Sequence, residues 1–272
     1  MASAEVKELG RLIGREALPR GDESGDPVVL LHGYPESSRM WEPLMSRLAH
    51  DGRRCLAPDL YGLGDSSDAE PATFERNLET FTAFMDELDL GPIALVVHDW
   101  GGFVGLAWAC DHPGEVSALV ISDTGFNSEG EWHGMAKAIR GPEGEAVVNA
   151  MDRDGFDGLL SSFGNAFDDE DIAAYWAPFE NGRGQQATLD FYRSMDFEKL
   201  APWQGKLAEI AAPTLLLWGA DDQFAPLASA ELLKSQIPGA VLVAFDGVGH
   251  FVFDEAEERS VEEVTGFLAD AA

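Results

Sequence analysis

Three polar side chains in this sequence combine the residue types that nucleophilic and acid–base chemistry needs. Asp99 stands at the apex of VVHDWGG, where an apolar strand passes directly into a helix through one tight turn. A second aspartate, Asp222, follows the apolar run TLLLWG, and His250 follows AVLVAF. A single aspartate after a strand is usually a helix cap or a turn former. It is much rarer by chance to find an aspartate in such a turn followed, further along the sequence, by a second aspartate and then a histidine. These three residues are therefore candidates for a catalytic set.

The turn at Asp99 has the features of a nucleophile elbow. The same strand-to-helix position carries the serine of G-x-S-x-G motifs. Two glycines follow Trp100 and allow the next helix to pack close to the sheet. We expect the helix N-terminus and the backbone N–H of Trp100 to stabilise negative charge beside Asp99.

The elements that position these residues alternate between apolar strands and amphipathic helices. Strands are predicted at PVVLL, CLAP, IALVV, VSALVIS, PTLLLWG and AVLVAF, and one helix is predicted to begin after an N-cap at Thr73. This alternation is typical of βαβ units, and it predicts an α/β fold with a mostly parallel sheet flanked by helices. Ligands bind beyond the carboxyl ends of such strands, so polar side chains that follow different strands should converge there. Those side chains are His32, Tyr34, Asp59, His98, Asp99, Asp123, Asp221, Asp222 and His250.

The pattern changes after Asp123. Residues 126–205 contain helical patches rich in aromatic side chains and no convincing strand, and the α/β pattern resumes at PTLLLWG. We therefore predict an inserted helical cap over residues 126–205 and a core formed by residues 1–125 and 206–272. The aromatic and aliphatic side chains of the cap indicate a pocket for a small apolar substrate.

The sequence resembles the α/β-hydrolase fold family over almost its whole length. The segments that carry the resemblance are HGYPESS, PDLYGLGDSS, VVHDWGG, WGADDQFAP and GVGHFVF. Within the family it is most similar to members with an aspartate nucleophile, namely epoxide hydrolases, haloalkane dehalogenases and haloacetate dehalogenases. One departure is Val97, where many relatives have glycine. The resemblance implies an α/β-hydrolase fold and an oxyanion site formed by the backbone N–H groups of Tyr34 and Trp100.

An aspartate nucleophile restricts the class of reaction. A carboxylate is ionised at neutral pH, because its ordinary pKa is about 3.9, and it attacks without help from a base. Attack on a carbonyl would give a reactive anhydride, whereas attack on a saturated carbon gives a stable alkyl ester. That ester needs water activated by a His–Asp pair, for which His250 is the candidate base and Asp222 its orienting acid. Asp123 is a rival acid, since some relatives carry the acid after that earlier strand, and His98 is expected to hold the elbow.

The leaving group separates the candidate activities. An epoxide yields a strongly basic alkoxide and needs a proton donor such as tyrosine, whose ordinary pKa is about 10. The cap segment TLDFYRSMDF resembles the ring-opening tyrosine segment of epoxide hydrolases and puts Tyr192 forward as that donor. Many epoxide hydrolases use two tyrosines; some relatives use a His–Tyr pair, for which EGEWHGM offers His133. We therefore expect an epoxide hydrolase that forms a vicinal diol.

Other functions stay open. A halide needs only N–H donors, and the indole of Trp100 would serve a haloalkane dehalogenase. Tyr34 replaces the asparagine that usually follows His-Gly in those enzymes, which leaves Trp132, Trp176 or Trp203 of the cap as the second donor. A haloacetate dehalogenase usually has arginine directly after the nucleophile, where this chain has Trp100. The remaining alternative is a hydrolase-like module that binds a ligand without turnover.

The charge of the chain excludes several partners. Its 272 residues carry 18 Lys and Arg against 49 Asp and Glu, which gives a formal net charge of −31. Nucleic acid and anionic membrane surfaces would be repelled. A charge this far beyond the roughly 2–8 of a small domain destabilises the folded state by self-repulsion, which salt screens. Adaptation to high salt is therefore one interpretation, and an ordinary acidic enzyme is the other.

Cysteine content and apolar patterning indicate the compartment. Cys55 and Cys110 are too few for a disulfide scaffold and are expected as buried thiols. The six histidines lack ligand spacing such as H-x-x-x-H, so neither a metal nor an organic cofactor is expected. The N-terminal segment has no apolar signal region, and no run of 18 apolar residues occurs. These features predict a cytoplasmic protein.

Overall fold

The sheet is the element that brings the candidate residues together. A computed structural model describes residues 4–66 and 71–271. Its strands are β1 (Glu5–Leu9), β2 (Leu12–Ala17), β3 (Val28–Leu31), β4 (Cys55–Pro58), β5 (Ile93–His98), β6 (Val116–Ser122), β7 (Thr214–Gly219) and β8 (Val241–Phe245). They form one eight-stranded sheet in the order β1-β2-β4-β3-β5-β6-β7-β8. The pairs β1–β2 and β2–β4 are antiparallel and the others are parallel, which confirms the predicted mostly parallel sheet.

Helices cover both faces of this sheet. The α-helices are α1 (Glu42–His50), α2 (Phe74–Leu88), α3 (Trp100–Asp111), α4 (Gly134–Arg140), α5 (Gly144–Asn149), α6 (Arg153–Ser161), α7 (Asp169–Trp176), α8 (Arg183–Ser194), α9 (Leu227–Gln236), α10 (Val252–Glu255) and α11 (Glu257–Asp270). Short 3-10 helices lie at Ser38–Trp41, Pro113–Glu115, Ala177–Phe179, Phe197–Trp203 and Lys206–Glu209. No helix among the described residues combines the length and the apolar character needed to span a bilayer.

Burial on both faces explains why the central strands are continuous apolar runs. Val29 and Leu31 of β3 belong to the core on the side of α2 and α3. Val28 and Leu30 of the same strand belong to the core on the side of α1 and α11. All four side chains are fully buried, so the strand has no polar face, as is usual in parallel sheets. Burial of each stabilises the fold by roughly 1.5–3 kcal/mol.

Two local predictions from the sequence are confirmed. The side chain of Thr73 accepts a hydrogen bond from the backbone N–H of Arg76 and caps the start of α2. Cys55 and Cys110 are both free and buried. The cap is formed by residues three apart in the chain, and both cysteines lie in apolar elements that the sheet and its helices bury, so both features were predictable from the sequence.

The strand order reverses at β3, and this reversal positions the site. β4 pairs with one edge of β3, and β5 pairs with the other. The loops after β3 and β5 therefore leave a crevice between them at the carboxyl end of the sheet. His32 directly follows β3 and Asp99 directly follows β5, so HGYPESS and the elbow lie at the same end.

The helical segment between β6 and β7 lies over that end of the sheet. Residues 126–205, which the structure describes throughout, contain helices and no strand. The Oγ of Ser194 in α8 accepts the N–H of Phe74 at 2.8 Å, which ties α8 to α2. Nε of Arg39 donates to Oδ1 of Asp171 in α7 at 2.7 Å. These contacts join the helical segment to the sheet-bearing part at two places.

Candidate active site

Asp99 occupies the elbow between β5 and α3. Its backbone has φ 45° and ψ −115°, in a region that residues with side chains rarely adopt. A Cβ at Gly33 would lie 2.5 Å from the Cβ of Asp99, and a Cβ at Gly101 would lie 2.3 Å from the carbonyl oxygen of Leu31. Both positions therefore require glycine. The close approach presents the Asp99 carboxylate beyond the ends of the strands.

A backbone donor holds one oxygen of the Asp99 carboxylate. Its Oδ2 accepts a hydrogen bond from the N–H of Tyr34 at 2.9 Å. Trp100 is the first residue of α3, so its N–H is one of the unpaired donors of a helix N-terminus. The Asp99 side chain keeps 17% of its surface exposed. One oxygen is thus bound to the Tyr34 donor, and Oδ1 is left for reaction.

His250 and Asp222 form a hydrogen-bonded pair beside Asp99. Nδ1 of His250 lies 2.8 Å from Oδ2 of Asp222, and Nε2 lies 3.8 Å from Oδ1 of Asp99. The second oxygen of Asp222 accepts the N–H groups of Phe224 and Ala225 at 2.7 and 3.1 Å. Burial lowers the pKa of His250, but the charge and hydrogen bond of Asp222 and the charge of Asp99 outweigh burial and raise the pKa to about 9. The imidazole is therefore oriented by Asp222 and carries a proton at neutral pH while Asp99 is charged.

The carboxylate of Asp123, the rival acid, faces Gly219 and His98. Its Oδ1 accepts the N–H of Gly219 at 2.9 Å, and its Oδ2 lies 4.0 Å from Nδ1 of His98. Burial and the charge of Asp222 raise the pKa of Asp123 well above its ordinary value. Burial also raises the pKa of Asp222, but the charge and hydrogen bond of His250 outweigh it and lower that pKa. The geometry favours Asp222 as the carboxylate that orients the imidazole.

His98 lies behind the elbow and next to His250. The centroids of the two rings are 5.1 Å apart. Nδ1 of His98 is 3.0 Å from the Oγ of Ser122, and Nε2 is 3.3 Å from Oε2 of Glu36. Burial and the charge of His250 lower the pKa of His98 to about 3, so the ring is neutral. A neutral, fully enclosed ring is consistent with the supporting role expected from the sequence.

Two neighbouring acidic side chains, of which Glu36 approaches His98, were not predicted. Glu36 is fully buried, and burial raises its pKa to about 8. Burial and the charge of Glu36 raise the pKa of Asp254 well above its ordinary value. Two neighbouring carboxyl groups in a buried site do not both ionise, so the pair retains a proton at neutral pH. The signal was available, because Glu36 belongs to HGYPESS and Asp254 follows GVGHFVF.

Tyr192 and Trp100 bring hydroxyl and indole donors close to Asp99. The Tyr192 ring packs edge-on against the Trp100 ring at 5.0 Å and against the Tyr34 ring at 5.9 Å. Burial, followed by the charges of Asp99 and Tyr34, raises the pKa of Tyr192 well above its ordinary value, so the phenol stays protonated. The indole N–H of Trp100 is buried and faces the Tyr192 hydroxyl without forming a hydrogen bond of good geometry.

His133 lies close to Tyr192. Its Nδ1 accepts the N–H of Ala136 at 3.4 Å at the start of α4, so the neutral ring carries its proton on Nε2. Burial and the charge of His250 lower the pKa of His133 to about 4. The centroids of the His133 and Tyr192 rings are 6.1 Å apart, and both side chains line the same small cavity. The predicted His–Tyr pair is therefore brought together in space.

The cap tryptophans differ in their surroundings. Trp132 lines a cavity with Asp99, and its indole nitrogen is buried without a partner within residues 4–66 and 71–271. Trp203 donates its indole N–H to Oδ2 of Asp111 at 3.0 Å. Trp176 stacks on Phe179 with ring centroids 5.6 Å apart. Of these three, Trp132 is the one positioned to meet a substrate.

Two cavities meet at Asp99. The larger has a volume of about 290 Å³, and its apolar walls include Phe103, Phe126, Trp132, Phe197, Leu232 and Leu233. The smaller has a volume of about 30 Å³, and its lining includes Tyr34, Tyr192, His250, Met135, Leu159 and Phe163. Asp99, His133 and Phe224 line both. In the described part of the chain, no group of three or more His, Cys, Asp or Glu side chains is arranged to hold a metal ion.

Comparison with known proteins identifies the family. The family model for the alpha/beta hydrolase fold matches residues 26–257. The chain belongs to the α/β hydrolase fold family. This assignment confirms the resemblance and the fold class that the sequence predicted. With the relatives described next, it makes this α/β hydrolase an enzyme of the group that includes epoxide hydrolases and haloalkane dehalogenases.

Proteins similar to this α/β hydrolase are named for three different activities. A cis-3-alkyl-4-alkyloxetan-2-one decarboxylase from Xanthomonas campestris is 28% identical over 280 residues, which cover 94% of this chain and 92% of the relative. An epoxide hydrolase from Caballeronia sordidicola is 27% identical, and the matched residues cover 90% of this chain and 88% of the relative. The crystal structure of the haloalkane dehalogenase DatA from Agrobacterium tumefaciens C58 matches with a TM-score of 0.83 at 27% sequence identity. The match covers 99% of this chain and 97% of the DatA chain.

Proposed function

We propose that this enzyme hydrolyses an epoxide to a vicinal diol through a covalent ester on Asp99, in a small apolar pocket under the cap of residues 126–205. The observation that supports this most strongly is the buried Tyr192 side chain, which lines the same small cavity as Asp99 and His250. Opening an epoxide produces a strongly basic alkoxide, so it requires a proton. Because the pKa of Tyr192 is raised, its hydroxyl keeps that proton until the alkoxide forms.

In the first step, Oδ1 of Asp99 forms a bond to a ring carbon while the bond from that carbon to the ring oxygen breaks. The electron pair goes to the ring oxygen, which takes the proton of Tyr192. The Nε2–H of His133 lies beside the same cavity and stabilises the developing charge. The imidazolium of His250 then supplies a proton to the Tyr192 phenolate. The result is an alkyl ester of Asp99, a neutral tyrosine and a neutral imidazole.

In the second step, water attacks the carbonyl carbon of the Asp99 ester. Nε2 of His250 takes a proton from this water, and Asp222 stabilises the imidazolium that forms. The N–H of Tyr34, which already binds Oδ2, stabilises the oxyanion. The intermediate then releases the diol oxygen, which takes the remaining hydroxyl proton, and the carboxylate is regenerated. Epoxide and water are consumed, and every side chain returns to its starting protonation state.

Halide release from a haloalkane is the second candidate function. It is favoured by the buried indole N–H of Trp100, which faces the Tyr192 hydroxyl without forming a hydrogen bond of good geometry. Leaving such a donor unpaired costs about 1–3 kcal/mol, and a halide would pair it. The same ester on Asp99 would form, and the same His250–Asp222 pair would hydrolyse it. Tyr192 would then transfer no proton.

One assay with four substrates separates these activities. Purified enzyme is given a 1,2-epoxyalkane, a 1-bromoalkane, fluoroacetate and a cis-3,4-dialkyloxetan-2-one, and diol, bromide, fluoride and alkene are measured. Diol as the main product supports the proposal, and bromide as the main product supports the second candidate. Alkene from the lactone would assign the chemistry named for the Xanthomonas relative and would contradict the proposal, as would fluoride as the main product.

A variant pair tests the role of Tyr192. Because general acid catalysis typically contributes about 10²–10⁴-fold, Tyr192→Phe should lower epoxide turnover by that factor. Any bromide release should change by only a few-fold. Tyr61→Phe removes a hydroxyl from another buried tyrosine outside both cavities and is the matched control. Equal epoxide turnover by the wild type and Tyr192→Phe would show that the proton comes from another group.

A further inference from the structure

The two cavities beside Asp99 differ about tenfold in size. The larger measures about 290 Å³ and the smaller about 30 Å³. Asp99 lines both, so a carbon atom bonded to Oδ1 lies where the two spaces meet. The substituents of that carbon and of its ring neighbour must therefore divide between them. The sizes of the cavities consequently limit how the reacting ring can be substituted.

The smaller cavity has room for the reacting atoms and little more. Its volume of about 30 Å³ is two to three times the roughly 10–15 Å³ that one water molecule needs in a cavity. Tyr192 and His250 occupy the side where the ring oxygen and the hydrolytic water react. Met135 and Leu159 line the remaining side with apolar groups, and Leu159 also borders a neighbouring pocket of about 440 Å³. An additional alkyl group on the attacked carbon would have to displace these side chains to reach that pocket.

The larger cavity accepts an apolar substituent. Its volume is about twice that of an apolar cavity of about 150 Å³ that holds benzene. Phe103, Phe197 and Leu233 supply apolar walls, and Ser229 of α9 contributes a small side chain to the same lining. An alkyl chain of moderate length or a single aromatic ring would bury its apolar surface there.

We propose that the substrate is a terminal epoxide with one apolar substituent, which lies in the larger cavity while the unsubstituted ring carbon faces Asp99 in the smaller one. This inference rests on the proposed function and narrows it to one substrate class. The attacked CH₂ forms the ester bond to Oδ1, its bond to the ring oxygen breaks, and that oxygen takes the Tyr192 proton. The cis-3-alkyl-4-alkyloxetan-2-one named for a relative carries two alkyl groups on adjacent ring carbons. The second group of a ring substituted in that way would fall in the smaller cavity, which has about a tenth of the volume of the larger one.

A matched pair of epoxides tests the inference. Wild-type kcat/KM is measured for 1,2-epoxyhexane and for cis- and trans-2,3-epoxyheptane, which place the same butyl group on the ring but add one methyl group. One misplaced methyl group typically costs about 10–200-fold, and we expect a preference for the terminal epoxide in that range. A preference below threefold would overturn the inference, whereas the absence of diol from every epoxide would overturn the proposed function instead.

Two variants separate the cavity effect from the lower intrinsic reactivity of the methyl-bearing ring. Met135→Ala enlarges the smaller cavity alone, so it should reduce the terminal preference at least fivefold; Leu159→Ala serves the same purpose if Met135→Ala does not fold. Ser229→Phe narrows the larger cavity, so it should lower kcat/KM for 1,2-epoxyhexane but not for propylene oxide. An unchanged preference in a folded variant of the smaller cavity would contradict the assignment. Equal losses on both substrates in Ser229→Phe would contradict it as well.

Discussion

Nε2 of His250 lies 3.8 Å from Oδ1 of Asp99, the carboxylate oxygen that the N–H of Tyr34 does not bind. This distance exceeds that of a hydrogen bond, so the two groups attract by charge without sharing a proton. In the proposed mechanism Oδ1 keeps its lone pairs for attack, and the imidazole lies beside the ester that it hydrolyses. The same contact links the pKa of His250 to the chemical state of Asp99.

Alkylation of Asp99 should lower the pKa of His250. Burial alone lowers that pKa, and the charges of Asp222 and Asp99 raise it to about 9 in the free enzyme. The ester removes one of the two charges, so His250 releases its proton when a base is required. Asp99→Asn mimics this loss, and histidine NMR titration should give a pKa for His250 below that of the wild type. A pKa equal to or above the wild-type value would contradict the coupling.

The raised pKa of His250 also makes the stability of the fold depend on pH. A histidine whose folded pKa lies above its unfolded value of about 6.5 stabilises the fold fully below pH 6.5, and this contribution is lost as the pH rises through about 9. We expect the urea midpoint of the wild type to fall more between pH 6.5 and 9 than that of His250→Gln. Parallel pH profiles for the two proteins would show that the interactions of His250 do not contribute in this window.

Replacing Asp222 or Asp123 by asparagine should affect the activity of the enzyme to different extents. Asp222→Asn should lower hydrolysis of the ester by roughly 10³- to 10⁴-fold, the effect known for neutralising an orienting carboxylate. Asp123→Asn keeps an acceptor for the N–H of Gly219 and replaces a group whose pKa is already raised, so activity should change less than tenfold. Single-turnover kinetics measures both. A larger loss in Asp123→Asn would reverse the assignment of the acid.

The elbow should tolerate no side chain at Gly101. A Cβ there would lie 2.3 Å from a backbone oxygen, so Gly101→Ala should destabilise the protein by about 1–3 kcal/mol. Gly158 in α6 is a matched control, since a Cβ there meets no atom within 4 Å. Gly158→Ala should stabilise by about 0.5–1 kcal/mol, because glycine is unfavourable inside a helix. Urea unfolding measures both, and equal midpoints would rule out close packing at the elbow.

Salt should stabilise this protein. Its formal net charge of −31 makes the folded state repel itself, and at about 1 M salt screening acts beyond roughly 3 Å. We expect Tm to rise between low and molar KCl, as adaptation to a saline environment requires. A Tm that stays constant or falls would favour the interpretation of an ordinary acidic enzyme.

The parts of the site that follow strands were predictable from the sequence. Asp99, Asp222 and His250 each stand in a recognisable segment directly after a predicted strand, and parallel strands bring their carboxyl ends to one edge. The roles assigned to them remain predictions. The contact between Glu36 and Asp254 was missed, although each residue lies in or next to a recognisable segment, because two segments distant in the chain create it.

The arrangement of the cap was less predictable. Trp132 and Trp203 are the same residue type in similar aromatic stretches, but the first lines the larger cavity and the second donates to Asp111 on the core. Trp132 lies just before α4 and Trp203 ends a 3-10 helix, so helical periodicity, which gives the apolar face of a helix without its partner, does not predict their surroundings. The division at residues 126–205 also remains a prediction.

The most direct test of covalent catalysis is the mass of the peptide that contains Asp99 after His250→Gln has reacted with substrate. This variant keeps the nucleophile and lacks the base, so the alkyl ester should form and persist. Peptide mass spectrometry should then show Asp99 heavier by the mass of one 1,2-epoxyhexane molecule, and Asp99→Asn in the same background should show no gain. Diol formation by folded His250→Gln without any adduct on Asp99 would contradict the mechanism.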